Sequence, residues 1–331
     1  MMTRIATIPA KIAYSKSPKN GFLGNARSGC ELIGSCSIIQ TSMAVITDFP
    51  IHLPLFRKGK VRHVYDLEDT LLLVASDRVS AFDCILPTGI PHKGRILTQL
   101  SAFWFDFLAD IVPNHLIETD VSLFPDSAKP YANWLKDRTL WVKKTNRIDI
   151  ECVVRGYLAG SGWKDYCTTG SISEIRLPKN LQQAQQLSEP IFTPAAKMDE
   201  GHDKTISFDV MVDTIGIELA NTLRTLSLTL YQRAHTHALS KGIILADTKF
   251  EFGLLDNQII LIDEVLTPDS SRFWDMEGYA LGQSPASFDK QIIRDYLEGC
   301  AWDKQHPAPH LPEDIVHKTS QRYQEVFERL V

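Results

Sequence analysis

The chain has 331 residues, of which 44% are apolar and 23% charged, and its formal net charge is −5 at pH 7. These values are typical of a soluble globular protein with about two domains, and they exclude collagen-like and fully disordered chains. No apolar run in the sequence is long enough to cross a membrane, and the acidic balance gives no basis for a nucleic-acid partner.

Residues 1–42 differ in composition from the rest of the chain. Five of them are Lys or Arg, only Glu31 is acidic, and Ser, Gly and Asn are frequent without a regular period. Three interpretations fit this segment: a basic transit peptide, a disordered tail, or translation from upstream of a true start at Met43. We favour the third, because Met43 leads directly into the first regular pattern.

The first predicted elements after Met43 are a β-hairpin and a helix. Apolar and β-branched residues predict strands within 55–74, with a turn at 67–70. Apolar residues then recur at three- and four-residue steps over 98–111. This spacing predicts a helix that ends before Pro113.

The second half of the chain is predicted to mix strands, a long loop and helices. Strands are predicted at 140–142 and 150–154, and three prolines with little periodicity predict a loop over 170–207. Helical periodicity covers 209–239 with an interruption near Gly216. A hairpin over 243–252 and 258–265 turns at Asp256 and Asn257, and helices at 287–300 and 312–330 end the chain.

Six scattered cysteines indicate a reducing compartment. They form no C-x-x-C pair and no zinc-type spacing with histidine: Cys30, Cys36, Cys84, Cys152, Cys167 and Cys300. Reduced thiols of this kind are typical of cytosolic proteins. We therefore predict a cytoplasmic protein without a disulfide framework.

The segment 57–62 is the first that could carry chemistry. Backbone amides beside Gly59, together with the cations Lys60 and Arg62, can hold a triphosphate, because amides and cations both suit dispersed phosphate charge. The segment is not a Walker A loop. A solvated basic turn is the alternative interpretation.

A second polar segment follows a buried-type strand. Asp77, Ser80 and Asp83 lie within a few residues of each other, in the position where binding groups collect at strand ends. An Asx turn with a local ion pair explains the same residues equally well.

The third segment begins with an apolar strand that ends near Arg155. Gly160, Ser161 and neighbouring glycines form a Gly/Ser-rich bend behind it. A guanidinium, several backbone amides and a hydroxyl suit a phosphate monoester or a carboxylate. A simple flexible turn would not need an arginine at the strand end, so we favour a substrate site.

The fourth segment is the most informative. Strand alternation places Asp247, Lys249 and Glu251 on one face. If the hairpin leaves Glu251 opposite Asp263, two carboxylates converge beside Lys249, and such oxygen ligands suit Mg²⁺ bound to nucleotide phosphates. A register slip of one residue would separate them, and an exposed polar face is the alternative.

Together these segments resemble the phosphoribosylaminoimidazole-succinocarboxamide synthases, or SAICAR synthetases, over about 56–330. The segments 189–194 and 201–203 resemble the longer, yeast-like branch of that family. Asp149 departs from the family pattern, where proline usually stands two residues before the glutamate. The motifs that carry the resemblance are 59–62, 151–155 with 159–161, 247–253, and 263–264 with 268–272.

The resemblance implies a two-lobed α+β fold related to ATP-grasp enzymes, with antiparallel sheets and flanking helices. Residues 43–142 would form an N-terminal lobe that binds the ATP phosphates, and residues 143–331 a C-terminal catalytic and substrate-binding lobe. It also implies a ligase that uses ATP and Mg²⁺ to join L-aspartate to the carboxylate of carboxyaminoimidazole ribonucleotide (CAIR) through an acyl phosphate. The oligomeric state is left open.

The resemblance also implies roles for single residues. Gly59, Lys60 and Arg62 would cover the ATP phosphates, and Lys143 and Lys144 would approach the nucleotide near the hinge between the lobes.

The remaining implied roles concern catalysis and substrate binding. Lys249, Glu251 and Asp263 would be catalytic: the two carboxylates hold Mg²⁺, and Lys249 neutralises the transferring phosphoryl group. The implied substrate-binding residues are Asp77, Ser80, Asp83, Arg155, Gly160, Ser161, Asp247, Asp269, Ser270, Ser271 and Arg272.

Two other functions remain open at this point. A small-molecule kinase on the same scaffold would share the magnesium ligands but would release ADP without L-aspartate. A catalytically silent nucleotide-binding protein would be favoured by loss of Lys249, Glu251 or Asp263, and all three are present.

Overall fold

The computed structural model describes residues 45–197 and 204–331, which form two large antiparallel sheets, two small hairpins and seven α-helices. The helices are α1 (Lys93–Phe107), α2 (Ala132–Leu135), α3 (Gly160–Thr169), α4 (Phe208–Ile215), α5 (Ile217–Ser240), α6 (Gln291–Glu298) and α7 (Glu313–Leu330). Two short 3₁₀ helices are Val121–Leu123 and Lys129–Tyr131. The predicted N-terminal segment 1–42 and the family-like segment 201–203 lie outside the described residues.

The first sheet contains five strands in the order β1-β2-β3-β7-β6. Its strands are β1 (Leu55–Lys58), β2 (Arg62–Leu67), β3 (Thr70–Ala75), β6 (Leu116–Glu118) and β7 (Thr139–Lys143), and β4 (Ser80–Ala81) with β5 (Cys84–Ile85) forms a separate small hairpin. The predicted hairpin is confirmed, because β2 pairs with β3 from Arg62↔Ala75 to Leu67↔Thr70.

The second sheet contains eight strands around the long strand β15. They are β8 (Asn146–Arg147), β9 (Ile150–Tyr157), β12 (Gln186–Phe192), β13 (Ala195–Ala196), β14 (Lys204–Thr205), β15 (Ile243–Leu255), β16 (Gln258–Ile262) and β17 (Ser271–Asp275). Asp256 and Asn257 connect β15 to β16 with positive φ angles of 50° and 61°, which aspartate and asparagine tolerate well in a hairpin turn. The predicted C-terminal hairpin is therefore confirmed.

The predicted loop over 170–207 is wrong. Besides β12, β13 and β14, this stretch contains the hairpin of β10 (Ser171–Ile172) and β11 (Ile175–Arg176). Pro190 does not break β12, because the ladder with β9 is irregular between Gln186 and Ile191, so proline costs no regular hydrogen bond there.

The predicted helices are confirmed in type and differ from the structure at their ends, whereas α2 and α3 were not predicted. Gly216, with φ of 84°, separates α4 from α5 as predicted. Helix α1 begins five residues earlier than Thr98 and ends at Phe107, and α6 begins at Gln291 instead of Ser287. The bend predicted after Arg155 is instead helix α3.

The main core extends from the second sheet, which α5 covers, to the first sheet, which α1 covers, and α7 packs against α1. Trp104, Leu230, Phe250 and Tyr323 are fully buried there, and Tyr231 of α5 donates a 2.7 Å hydrogen bond to the carbonyl of Leu245 in β15. None of the helices within the described residues is both long enough and apolar enough to traverse a bilayer. The packing of α5 against the second sheet covers the apolar face of β15 and leaves the polar face of this strand to form the site.

Candidate active site

Strand β15 carries the candidate active site on one face and core residues on the other. Phe250 and Phe252 are fully buried in the main core, whereas Asp247, Lys249 and Glu251 alternate with them and make polar contacts. The predicted alternation is therefore confirmed. Three charged side chains in line are stable here because each one has an oppositely charged partner on a neighbouring segment.

At the first end of this face, Asp247 lies between two arginines. It pairs across the sheet with Arg155 of β9 and with Arg272 of β17. The Arg155 guanidinium donates to Asp247 Oδ2 at 3.1 Å, to Ser161 Oγ at 3.3 Å and to Thr193 Oγ1 at 3.1 Å, and Arg272 Nη1 also donates to Asp247 Oδ2. Two guanidinium groups on one carboxylate leave a surplus positive charge, which suits an anionic ligand.

Gly160 allows Arg272 to occupy this position. Gly160 has a positive φ of 52°, and a Cβ at this residue would overlap the Arg272 guanidinium. Burial opposes the charge on Arg155, and the nearby Arg272 adds to that effect, so the pKa of Arg155 is lowered in spite of Asp247. The structure thus brings together five predicted substrate-binding residues: Arg155, Gly160, Ser161, Asp247 and Arg272.

Three ion pairs form a cluster at the other end of the face. Lys249 Nζ lies 2.7 Å from Glu151 Oε1, and Lys197 Nζ lies 2.7 Å from Glu251 Oε2.

The third pair crosses between the sheets. Arg62 of β2 donates to Asp263 Oδ2 at 2.8 Å and lies 3.6 Å from Glu264 Oε1. The predicted catalytic residues Lys249, Glu251 and Asp263 are therefore in one cluster, and Arg62 of the predicted phosphate loop reaches it.

The carboxylates of Glu251 and Asp263 have opposite pKa shifts. Burial and the neighbouring Asp263 raise the pKa of Glu251, against the lowering effect of Lys197 and Lys249. Burial also opposes the charge on Asp263, but Arg62 outweighs it and holds the pKa of Asp263 well below its usual range. Burial likewise opposes the charge on Lys249, and Glu151 and Glu251 overcome it and raise the pKa of Lys249.

The two carboxylates converge by a route that the sequence does not predict. Glu251 pairs in register with Ile262, and Asp263 lies one residue beyond the end of β16. Asp263 has a left-handed φ of 65°, so it leaves the strand alternation that would otherwise separate it from Glu251. The predicted pairing of Glu251 with Asp263 is wrong in register, but the two groups are close enough to interact.

The turn at 59–62 is stabilised by a hydrogen bond from Arg78, a residue outside the predicted phosphate-binding segment. The Gly59 amide donates to the Arg62 carbonyl at 2.8 Å, and the buried Arg78 donates to the Gly59 carbonyl at 3.1 Å. Lys60 lies on the exposed side of the turn and forms a 2.7 Å ion pair with Asp83. Lys60 and Asp83 are thus brought together, outside the ion-pair cluster around Glu251.

The two lysines predicted near the nucleotide differ in their surroundings. Lys143 is exposed at the end of β7, and its amide donates to the His115 carbonyl at 2.8 Å. Lys144 is half-buried and forms an ion pair with Asp66 at 2.8 Å. The Lys144 ammonium is therefore already paired with the Asp66 carboxylate, and Lys143 is the more exposed of the two lysines.

Asp77 is a structural residue, which corrects its prediction as a substrate ligand. It is 1% exposed and accepts hydrogen bonds from the amides of Ile46 and Gly94 and from both terminal nitrogens of Arg138. Four donors saturate its carboxylate. Ser80, its neighbour in the predicted segment, is half-buried in β4.

The segment 269–271 is also largely engaged within the chain. Asp269 is buried and bonded to Lys93, Lys290 and Tyr323, so it is not available as a direct substrate ligand. Ser271 Oγ lies 2.8 Å from Thr248 Oγ1, and Ser270 is nearly buried. These residues precede Arg272 and fix where its strand begins.

Comparison with known proteins identifies relatives over most of the chain. A family model described as SAICAR synthetase matches residues 55–309. The chain is 55% identical over 285 residues to the phosphoribosylaminoimidazole-succinocarboxamide synthase of Syntrophobacter fumaroxidans, covering 86% of this chain and 94% of the relative. The protein of the same name from Thermodesulfovibrio yellowstonii is 55% identical over 273 residues, covering 82% and 94% of the two chains.

Solved structures agree with the sequence relatives. A SAICAR synthase from Saccharomyces cerevisiae in complex with SAICAR superposes with a TM-score of 0.80 at 42% identity, covering 86% of this chain and 97% of that one. A SAICAR synthetase in complex with ADP superposes with a TM-score of 0.61 at 27% identity, covering 83% and 97%. The two-sheet α+β architecture is therefore shared with both.

Proposed function

Because the chain belongs to the SAICAR synthetase family, we propose that it joins L-aspartate to the carboxylate of CAIR and converts ATP to ADP and phosphate. The observation that carries this proposal is the polar face of β15. It places the arginine pair around Asp247 and the ion-pair cluster around Glu251 on one strand. A substrate phosphate and a phosphoryl-transfer centre can therefore lie side by side.

The proposed reaction has two steps. A carboxylate oxygen of CAIR attacks the γ-phosphorus of ATP, the bond to the bridging oxygen breaks, and ADP leaves. The amine nitrogen of L-aspartate then attacks the carbonyl carbon of the acyl phosphate, phosphate leaves with the oxygen, and the nitrogen gives up a proton. The first step is needed because a carboxylate has no acceptable leaving group, and positioning with charge neutralisation drives it.

Lys249 and Lys197 are well placed to neutralise the transferring phosphoryl group. Each ammonium lies 2.7 Å from a carboxylate of the cluster, and Lys249 is partly exposed on the open side of β15. Gly59, Lys60 and Arg62 would bind the ATP phosphates. Lys143 and Lys144 would border the nucleotide.

Glu251 and Asp263 fit a magnesium ion that is shared with ATP. Glu251 has its pKa raised partly by Asp263, and a cation between two such carboxylates relieves their repulsion. No group of three or more potential metal ligands occurs in the described residues. Mg²⁺ commonly takes one or two carboxylates and completes its shell with water and phosphate oxygens, whose charge it neutralises.

On the substrate side, Arg155, Ser161 and Arg272 would bind the CAIR phosphate and carboxylates. The two guanidinium groups would donate paired hydrogen bonds to these anions, and the Ser161 hydroxyl would donate one more. Gly160 leaves room for the Arg272 guanidinium, and Ser270 and Ser271 precede Arg272 in the chain. Asp247 would orient the two arginines, because both guanidinium groups donate to its Oδ2.

We also propose that the two sheets correspond to two lobes, 43–142 and 143–331, with the nucleotide between them. The change from β7 of the first sheet to β8 of the second supports a boundary near Lys143. The free thiols of Cys84, Cys152, Cys167 and Cys300 support a cytoplasmic location.

A coupled ADP-release assay tests the proposed function. The purified chain is incubated with Mg-ATP and CAIR, with and without L-aspartate, and the products are identified by mass. We expect ADP only when all three substrates are present, together with a succinocarboxamide product. ADP release that is independent of L-aspartate would indicate a kinase, and no release from folded protein would indicate a binding protein.

A further inference from the structure

Lys93 is a fully buried cation at an unfavourable position. It is the first residue of α1, where the positive end of the helix dipole repels a cation, and none of its side chain is exposed. Its ammonium lies 2.7 Å from Asp269 Oδ2. Burying a lysine at a helix N-terminus costs free energy, so the contact with Asp269 must offset that cost.

Asp269 connects three helical segments through one carboxylate. Besides Lys93 of α1, it accepts a 3.1 Å hydrogen bond from the hydroxyl of Tyr323 in α7 and lies 3.3 Å from the ammonium of Lys290, just before α6. Burial opposes its charge, but Lys290 and Lys93 lower the pKa of Asp269 well below its usual range. The carboxylate is thus charged and fixed from three directions.

The turn that contains Asp269 leads into the substrate side of the site. The amides of Ser270 and Ser271 donate to the Thr267 carbonyl at 3.0 and 2.8 Å, and the Asp269 amide donates to Thr267 Oγ1 at 3.2 Å. The Ser270 carbonyl in turn accepts from the Lys249 amide at 3.1 Å. A displacement of this turn would therefore move β17, and Arg272 with it, relative to β15.

We propose that Lys93 and Tyr323 are positioning residues that hold Asp269, and through it the turn before Arg272, in the geometry that binds the phosphorylated substrate. Helix α7 is then part of the substrate-binding architecture, although it lies beyond residues 55–309 that match the family model. This inference rests on the proposed function and assigns roles to residues that its site does not include.

Tyr323→Phe is the direct test, because it removes the hydroxyl and keeps the ring. Ser320→Ala is the matched control: Ser320 lies one turn away on α7 and donates a 3.0 Å hydrogen bond to the Pro91 carbonyl, without contacting Asp269. Both variants lose one hydrogen bond from α7, and we expect the larger decrease in melting temperature in Tyr323→Phe, because its bond is to a charged carboxylate. We expect the KM for CAIR to rise about 10-fold in Tyr323→Phe and to stay within about 2-fold of the wild-type value in Ser320→Ala, because only the first loses a bond to a charged group.

The KM for ATP is measured in the same variants and is expected to remain unchanged. Equal KM values for CAIR in the two variants, or a rise confined to ATP, would overturn the proposal. Lys93→Met provides a second test, because it leaves Asp269 with Lys290 and Tyr323, and it is expected to raise the KM for CAIR further. If the wild type is active and the KM for CAIR is unchanged in all three variants, the positioning role is rejected and the proposed function stands.

Discussion

Lys197 and Glu251 form an ion pair in which Nζ and Oε2 are 2.7 Å apart, and the other charged neighbours of Glu251 are the Asp263 carboxylate and the Lys249 ammonium. Lys197 is supplied by the end of β13, a two-residue strand that pairs with β9. It therefore compensates one carboxylate of the candidate magnesium site. We expect a cation and the ATP phosphates to replace this ion pair, so that Lys197 can contact the transferring phosphoryl group.

Lys197→Met is expected to lower kcat about 100-fold, the effect of removing one preorganised charge from a transition state. It leaves Glu251 beside Asp263 without its ion-pair partner, so the free protein is also expected to lose stability, and Mg-ATP should restore part of it. Steady-state kinetics and thermal unfolding with and without Mg-ATP measure both effects. Lys204→Met is the control, because Lys204 is exposed on β14 and pairs in register with Ala196. A kcat within about 3-fold of wild type would exclude Lys197 from catalysis.

Glu251→Gln is expected to abolish turnover while the fold is retained. Glutamine has the same shape, and Lys197, whose side chain is 19% exposed, can turn towards solvent when its partner loses the charge. The lost negative charge should raise the Mg²⁺ concentration needed for half-maximal ATP binding. A magnesium titration at fixed ATP measures this, with Asp256→Asn in the exposed turn of the same hairpin as the control. Near-normal activity in Glu251→Gln would remove this residue from the metal site.

Gly160→Ala is expected to weaken binding of CAIR beyond its effect on stability. Both Gly160 and Gly170 have positive φ angles, so alanine at either should cost about 1 kcal/mol of unfolding free energy. Only at Gly160 would the new Cβ meet the Arg272 guanidinium, whereas nothing lies within 4 Å at Gly170. Chemical unfolding and the KM for CAIR, measured in both variants, separate backbone strain from displacement of Arg272. If the two variants have the same KM, Arg272 does not bind the substrate.

Much of the fold could be predicted from the sequence because local patterns decide it. The two hairpins are defined by alternation and by turns such as Asp256 and Asn257, and α5 by its long helical period. The strands within 170–207 could not be recognised, because β12 and β13 depend on pairing with β9, and Pro190 within β12 and Pro194 just before β13 argue against strands in the local sequence. Strand pairing at such distances leaves little local signal.

The candidate site could be predicted where one strand carries it. Alternation along β15 already groups Asp247, Lys249 and Glu251. Lys197 was missed because its role depends on where β13 lies. Asp77 was assigned to the substrate from its polar segment, and Asp269 from the family resemblance, but their partners Arg138 and Lys93 are 61 and 176 residues away in the sequence. Burial by distant partners is a tertiary property that a local motif does not encode.

His235 is expected to make the fold less stable at acidic pH. It is 6% exposed in α5, its Nε2 lies 3.3 Å from the Tyr157 hydroxyl, and burial lowers its pKa. As the pH falls below about 6.5, the unfolded chain takes up a proton on this residue before the folded chain does, so the free energy of unfolding decreases.

The contribution of His235 is measured by urea unfolding at about pH 7.5 and about pH 5, on either side of the ordinary histidine pKa. We expect His235→Gln to lose less stability between the two pH values than the wild type, because it cannot take up that proton. His237→Gln is the control, since His237 lies on the same helix but is only partly buried, with a ring nitrogen 2.8 Å from the Leu330 carbonyl. An identical pH dependence in His235→Gln and wild type would show that protonation of His235 does not destabilise the fold.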